Sequence, residues 1–282
     1  MAKLIIAINH RTDQAESIIK GERSVENSSI ALTCVPTTSG SGSECTHFAV
    51  AYIGSNKYSV ASPYLYANAV VLDPMLTKSN SPYQLVVNGL DALAQGIESA
   101  WAIGSTEVSR AHSFSAIKRA VKYLPQAYKE PTDDVLREMM LAAHFAGKAI
   151  DISKTTSAHA FSYGFTSLYG IPHGHAVWLT LPDIFQAHVD CSDDDITDPR
   201  GVEFYRDNIL EIVDAMGMEI DDLDSQLYRF LSELDIKSDM KLMGASTDYD
   251  REIVKNMVNR QRLKNNPVEL DTNRIFCLNA KR

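Results

Sequence analysis

Asp91 and Gln95 stand four residues apart in Gly89-Leu90-Asp91-Ala92-Leu93-Ala94-Gln95-Gly96-Ile97-Glu98. On a helix, positions i and i+4 share a face, so both residues turn an oxygen to the same side. His159 and His173 are separated by a helical pattern and the turn Tyr169-Gly170-Ile171-Pro172, and His173 opens the next helix. Two imidazoles on adjoining helix ends can converge. With Asp91 they form a two-histidine, one-carboxylate set, the donor chemistry of a divalent transition metal with open positions. The other histidines, His10, His47, His112, His144, His175 and His188, are read as ordinary polar residues.

A second candidate is Pro36-Thr37-Thr38-Ser39-Gly40-Ser41-Gly42-Ser43-Glu44, rich in hydroxyls and glycine. Backbone N–H groups of such a loop can cradle phosphate oxygens. It is not a Walker A loop, because no lysine follows the glycines. It is not G-x-G-x-x-G either, because Gly40-Ser41-Gly42-Ser43-Glu44-Cys45 lacks the third glycine. Nor does it carry the G-x-S-x-G of a serine-hydrolase elbow. The acidic stretch Asp190, Asp193, Asp194, Asp195 and Asp198 lacks the spacing and glycine of a calcium loop and reads as solvated.

These residues need elements to hold them. Met1 to about Lys20 has the periodicity of a helix. Ser29–Val35, Phe48–Ile53 and Ala69–Leu72 are short runs of strand formers, with 29–35 and 48–53 expected in one sheet. From about Ser81 the texture becomes helical, over 82–103, 106–124, 131–150, 154–168, 173–188, 202–216, 222–234 and 248–260. Pro131-Thr132-Asp133-Asp134 is a helix start with acids at the positive end. Gly104, Pro125, Gly170 and Gly217 punctuate. The expected architecture is an α+β, multi-domain one. Residues 1–80 form an incomplete α/β nucleotide-binding portion, and 81–282 an all-α metal-binding domain.

A chain of 282 residues with 45% apolar and 22% charged residues buries a core without disulfide staples. Its net charge of −9, with no Lys/Arg block, argues against nucleic acid and anionic membranes as partners. Four cysteines (Cys34, Cys45, Cys191, Cys277) without C-x-x-C fit a reducing compartment. No apolar run reaches the roughly 20 residues of a membrane helix, and the N-terminus lacks a signal-peptide pattern. A cytoplasmic location is expected.

The motifs, in this order, resemble those of the iron-containing (group III) alcohol dehydrogenases. Residues 36–44 are similar to that family's P-T-T-x-G-[ST]-x-x-E loop. Lys57, Leu72-Asp73-Pro74, Gly89-Leu90-Asp91-Ala92-Leu93 and Gly170-Ile171-Pro172-His173-Gly174 follow at family spacing. The resemblance implies a dehydroquinate synthase-like fold, an α/β dinucleotide domain followed by a helical metal domain with the metal in the cleft between. It implies Asp91, Gln95, His159 and His173 as ligands of a divalent ion, iron or zinc. Thr37, Thr38, Ser41 and Lys57 would contact NAD or NADP. The implied reaction passes hydride to an aldehyde carbon, with the protein as a homodimer or larger homo-oligomer.

Three departures stand out. Gln95 replaces the family's usual histidine. Tyr163 stands where a second histidine often lies near the reacting alcohol, and would relay the proton beside Asp91. The family's Gly-Gly-Gly-Ser phosphate motif is absent, as if the chain began just after it. Gln95, Ser105-Thr106-Glu107 and Lys154-Thr155-Thr156 resemble the phosphonate-linked branch, whose members reduce phosphonoacetaldehyde to 2-hydroxyethylphosphonate. Lys154 and Thr155 would then hold the phosphonate. Two alternatives stay open: an impaired remnant that binds metal or only oligomerises, and a general short-chain alcohol dehydrogenase.

Overall fold

The computed structural model describes residues 1–271 apart from Ser29, Ser55, Leu242, Ala245 and Ser246. The first segment is not one helix over 1–20. Helix α1 (Ala2–Ile8) stops where Asn9 and His10 both take left-handed backbone angles, and α2 (Ala15–Ile19) follows after a 3-10 turn. The strand expected over 29–35 shrinks to β1 (Thr33–Cys34). Strand β2 covers Phe48–Ile53 as expected, but it pairs antiparallel with β3 (Asn56–Ala61), which the sequence reading lacked. The link between them contains Gly54 at φ 60, the positive angle a tight hairpin turn requires. Strand β4 (Ala69–Val70) pairs parallel with β1. Strands β1 and β2 therefore sit in two separate two-stranded ladders, not in one sheet.

The remaining described elements are helical: α3 (Pro82–Trp101), α4 (Glu107–Lys129), α5 (Asp133–Ser153), α6 (Ser157–Tyr169), α7 (His173–Trp178), α8 (Leu181–Asp190), α9 (Val202–Met216), α10 (Leu223–Glu233), α11 (Asp248–Asn256) and α12 (Arg260–Leu263). Helix α3 begins at the Ser81 cap, whose hydroxyl accepts from the Gln84 N–H, with Pro82 at the first position. It is apolar nearly all round because α4, α5 and α7 surround it. Helix α4 runs through Pro125, which the sequence reading took as its end. Leu124 and Ala127, both buried on either side of the proline, tie that last stretch to the core. The helix expected over 173–188 is two, α7 and α8, broken at Leu179-Thr180. That over 248–260 is likewise α11 and α12. Asp198 departs from the solvated reading: it is buried and paired with Arg200 at 2.7 Å.

Candidate metal centre and substrate cleft

Helix α3 presents Asp91, Gln95 and Glu98 at successive turns of one face, and all three are buried. Glu98 is fully enclosed and organises the start of α6. Its Oε1 accepts from the Thr156 hydroxyl (2.9 Å) and from the N–H groups of Ala158 (2.7 Å) and His159 (3.3 Å). A carboxylate there satisfies orphan N–H donors and the positive helix end together. Its other oxygen contacts His159 Nδ1, which leaves Nε2 turned towards α3.

His173 reaches the same point because α7 comes very close to α3. A Cβ on Gly174 would lie 1.9 Å from the Val87 carbonyl oxygen, so only glycine permits this approach. His159 Nε2 is 3.3 Å and His173 Nε2 3.9 Å from Asp91 Oδ1. One donor atom from each of Asp91, His159 and His173 lies within 4.8 Å of the others. Asp91 Oδ1, Gln95 Oε1 and His159 Nε2 are buried without a hydrogen-bond partner. Buried polar atoms without partners are costly, and a cation between them would satisfy all three. Burial works against the Asp91 carboxylate, yet the two imidazoles hold its pKa below the ordinary value. For His159, burial opposes protonation, but Glu98 and Asp91 raise its pKa. The donor set fits a divalent metal ion.

This cluster forms one side of a cleft of about 290 Å³, also lined by Ser41, Phe48, Lys154, Tyr163 and Arg262. Lys154 ends α5 with φ 63 and ψ −176. Its ammonium donates to the Asp151 carbonyl (3.0 Å) and lies 4.6 Å from the Phe48 ring centroid. Burial, with a smaller contribution from Arg262, lowers its pKa. Asp151 in turn holds His47, accepting from its backbone N–H at 2.8 Å and lying 2.6 Å from its Nδ1. Arg262 donates to the Tyr163 hydroxyl (2.7 Å) and contacts Thr155 Oγ1. So the structure brings Ser41, Lys154, Thr155 and Tyr163 to the cleft that Asp91, His159 and His173 line. Thr37 is exposed and Thr38 half-buried, and neither lines this cleft. Lys57 lies outside the residues whose side chains are described.

Sequence reasoning missed Glu98, Arg262 and the His47–Asp151 pair. Glu98 carried a usable signal, since it falls seven residues after Asp91 on the same helical face. Arg262 carried none, because it is 107 residues from Thr155 in the chain.

A helical body that gathers a carboxylate and two imidazoles at the edge of a small strand-bearing portion defines a metal-binding architecture. Comparison with known proteins gives the family. Residues 85–281 match the model of the Fe-containing alcohol dehydrogenase family, C-terminal, and residues 1–74 that of iron-containing alcohol dehydrogenase. The chain belongs to the iron-containing alcohol dehydrogenases, a family of oxidoreductases. It is 35% identical over 191 residues to a phosphonoacetaldehyde reductase of Streptomyces viridochromogenes, covering 67% of this chain and 47% of that one. It is 33% identical over 161 residues to a sulfoacetaldehyde reductase of Bilophila wadsworthia, covering 56% and 42%. The crystal structure of sulfoacetaldehyde reductase from Bifidobacterium kashiwanohense in complex with NAD+ superposes with a TM-score of 0.86 at 25% identity, over 99% of this chain and 72% of that one. The chain thus spans less than half the length of these curated relatives. Among the described residues no helix is long and apolar enough to cross a membrane.

Proposed function

We propose that this chain supplies the metal centre and substrate cleft of an NAD(P)-dependent reductase for a short aldehyde carrying an anionic tail, phosphonoacetaldehyde in the first place. The observation that carries this reading is the placement of Lys154 and Arg262 on the same cleft as Asp91, His159 and His173. Two cations facing one small space repel each other, and a dianionic tail between them removes that repulsion. The relatives named phosphonoacetaldehyde reductase and sulfoacetaldehyde reductase support the same substrate chemistry.

In this reading residues 81–282 hold the metal and the aldehyde, and residues 1–80 face the dinucleotide through Thr37, Thr38, Ser41 and Lys57. Asp91, His159 and His173, with the Gln95 amide oxygen, hold Fe2+, which a two-imidazole, one-carboxylate set suits; Zn2+ is the second choice. When bound there, the ion supplies Lewis-acid polarisation of the aldehyde oxygen. Glu98 fixes the His159 ring so that Nε2 faces the ion. Lys154, Arg262 and Thr155 seat the anionic tail. As the hydride of NAD(P)H reaches the aldehyde carbon, the Tyr163 hydroxyl, beside His173 and accepting from Arg262, gives its proton to the aldehyde oxygen. The protein is read as cytoplasmic and as a homo-oligomer, with the exposed Val35 and Val71 beside the β1–β4 ladder covered by a second copy.

The test compares phosphonoacetaldehyde with propanal as substrates of the iron-loaded protein and NADH or NADPH. Lys154→Ala should lower kcat/KM for the charged aldehyde about 10- to 100-fold, the worth of one charge-assisted contact, and leave propanal nearly untouched, whereas Arg262→Gln, which also removes the donor to Tyr163, should lower both, the charged aldehyde more. Equal use of both aldehydes by the unaltered protein would instead make it a general short-chain alcohol dehydrogenase. Asp91→Asn should lose the iron itself, read by metal analysis.

A further inference from the structure

Among the described residues, one other cluster has the chemistry of metal ligands, and it lies outside the cleft of the Asp91 centre: Glu44, Cys45 and His144. Glu44 is buried, and Cys45 and His144 are half-buried. We propose that these three side chains form a second metal site, selective for a thiophilic divalent ion such as Zn2+, which ties the loop of residues 36–44 to helix α5.

The geometry is specific. Cys45 Sγ lies 3.0 Å from His144 Nδ1, His144 Nδ1 lies 3.1 Å from Glu44 Oε1, and Cys45 Sγ lies 3.6 Å from Glu44 Oε1. With zinc bonds of about 2.3 Å to sulfur and about 2.0–2.1 Å to nitrogen and oxygen, the edges of a coordination tetrahedron are roughly 3.3–3.6 Å. The three donor atoms thus already outline one face of such a tetrahedron. Two edges need to widen by a few tenths of an ångström, and the fourth position is left to water. The backbones that carry the ligands are locked together. A Cβ on Gly147 would lie 2.3 Å from the Gly42 carbonyl oxygen, so loop and helix touch one turn from His144. Lys3 then fixes the loop from behind: its ammonium donates to the Ser43 carbonyl at 2.5 Å and to the Thr46 hydroxyl at 3.0 Å.

Charge supports the assignment. A divalent ion bound to one carboxylate, one thiolate and one neutral imidazole leaves the site neutral, with the thiol's proton released to solvent as the ion binds. Donor softness separates the two centres. The Asp91 cluster offers only oxygen and nitrogen, whereas Cys45 adds sulfur, which favours zinc over iron and magnesium. The second site touches no substrate. It pins the loop that carries Ser41 and Ser43 to the cleft, so its occupancy sets how firmly that wall is held.

Cobalt(II) tests this, because a thiolate bound to cobalt gives an intense near-ultraviolet charge-transfer band that oxygen and nitrogen ligands do not. The full chain, stripped with a chelator, should develop that band and saturate it by two equivalents of cobalt per chain, one for each centre. Zn2+ should bleach it at lower concentration than Fe2+ does. Cys45→Ser should abolish it while cobalt still binds at the other centre, and Asp91→Asn should leave it intact. His144→Gln should weaken it, with circular dichroism confirming the fold of each variant. In the unaltered protein, Zn2+ should also protect one cysteine from a thiol reagent. Cobalt uptake without a sulfur band, or a band that persists in Cys45→Ser, would overturn the site.

Discussion

The two walls of the cleft are built on opposite principles. The helical wall presents Asp91, Gln95, His159 and His173 from α3, α6 and α7, backed by the large core that contains Leu90, Leu93, Phe161, Phe165 and Trp178. The facing wall, from Ser41 to Val50, is backed by a small cluster, Ile6, Ala7, Ile18, Leu32, Val60 and Leu65. What joins it to the helices includes two polar pairs to α5, His47–Asp151 and Glu44–His144. Apolar packing is indifferent to ions and acidity, whereas hydrogen-bonded ionic contacts are not. The helical wall therefore keeps the ligand geometry, and the loop wall is the side that can yield.

The largest effect that separates them is a core truncation. Leu93→Ala, between Asp91 and Gln95, should cost about 2–5 kcal/mol and lower the whole unfolding transition. Leu65→Ala in the small cluster should fall at the low end of that range. It should speed amide exchange in residues 1–80 and spare α3. The contrast between the walls fails if Leu65→Ala removes protection from α3 as strongly as Leu93→Ala does.

Acidity should attack the helical side too, and His188 gives a clear case. His188 is fully buried, stacked on Trp101 at 4.2 Å between centroids, and its Nε2–H donates to Asn266 Oδ1 at 3.2 Å. Burial pushes its pKa down to about 4 from 6.5. Above pH 6.5 the ring is neutral both folded and unfolded, so it adds no pH dependence. Between pH 6.5 and about 4 the unfolded chain takes up a proton that the folded one refuses, so stability falls as pH falls. Below about 4 both are protonated, and the loss levels off at about 3 kcal/mol. His188→Phe should flatten that window in denaturant titrations. An unchanged slope would mean that His188 is reached by solvent before unfolding.

The same division explains what could be read from the sequence. Helix α3 was legible because its cap, its periodicity and its Asp91–Gln95 pair at i, i+4 are all local, and the expected span 82–103 ends within two residues of the observed Trp101. The loop wall was legible only in part. Strands β1, β2 and β4 fall inside the runs 29–35, 48–53 and 69–72, but the parallel β1–β4 pairing spans only two residues of each strand and no local run encodes it, and β3 was missed despite the Gly54 turn signal. In the site, motif spacing pointed to Asp91, His159 and His173. Arg262, His144 and Asp151 reach their partners only through tertiary contacts about a hundred residues long in sequence, and no local pattern encodes those. Helix α4 shows packing overruling a local stop, since its buried Leu124 and Ala127 carry it across Pro125.

The smallest effect lies where the two walls meet, at Lys154. Its φ of 63 with ψ −176 belongs to a region that glycine alone enters freely, and such a backbone costs a side-chain-bearing residue about 1–3 kcal/mol. Lys154 nevertheless stands there, ending α5 and turning its ammonium towards Phe48 and the cleft. Alanine at this position would keep the strain and lose the ammonium. Glycine would lose both, while adding about 0.5–1 kcal/mol of unfolded-chain entropy. Lys154→Gly should therefore be more stable than Lys154→Ala by about 1 kcal/mol in denaturant unfolding. On the proposed function, both variants should discriminate equally poorly between phosphonoacetaldehyde and propanal, because the cation is gone from each. That outcome would show backbone strain retained to aim a charge. Equal stability of the two variants would show that the loop wall relaxes around Lys154 and stores nothing there.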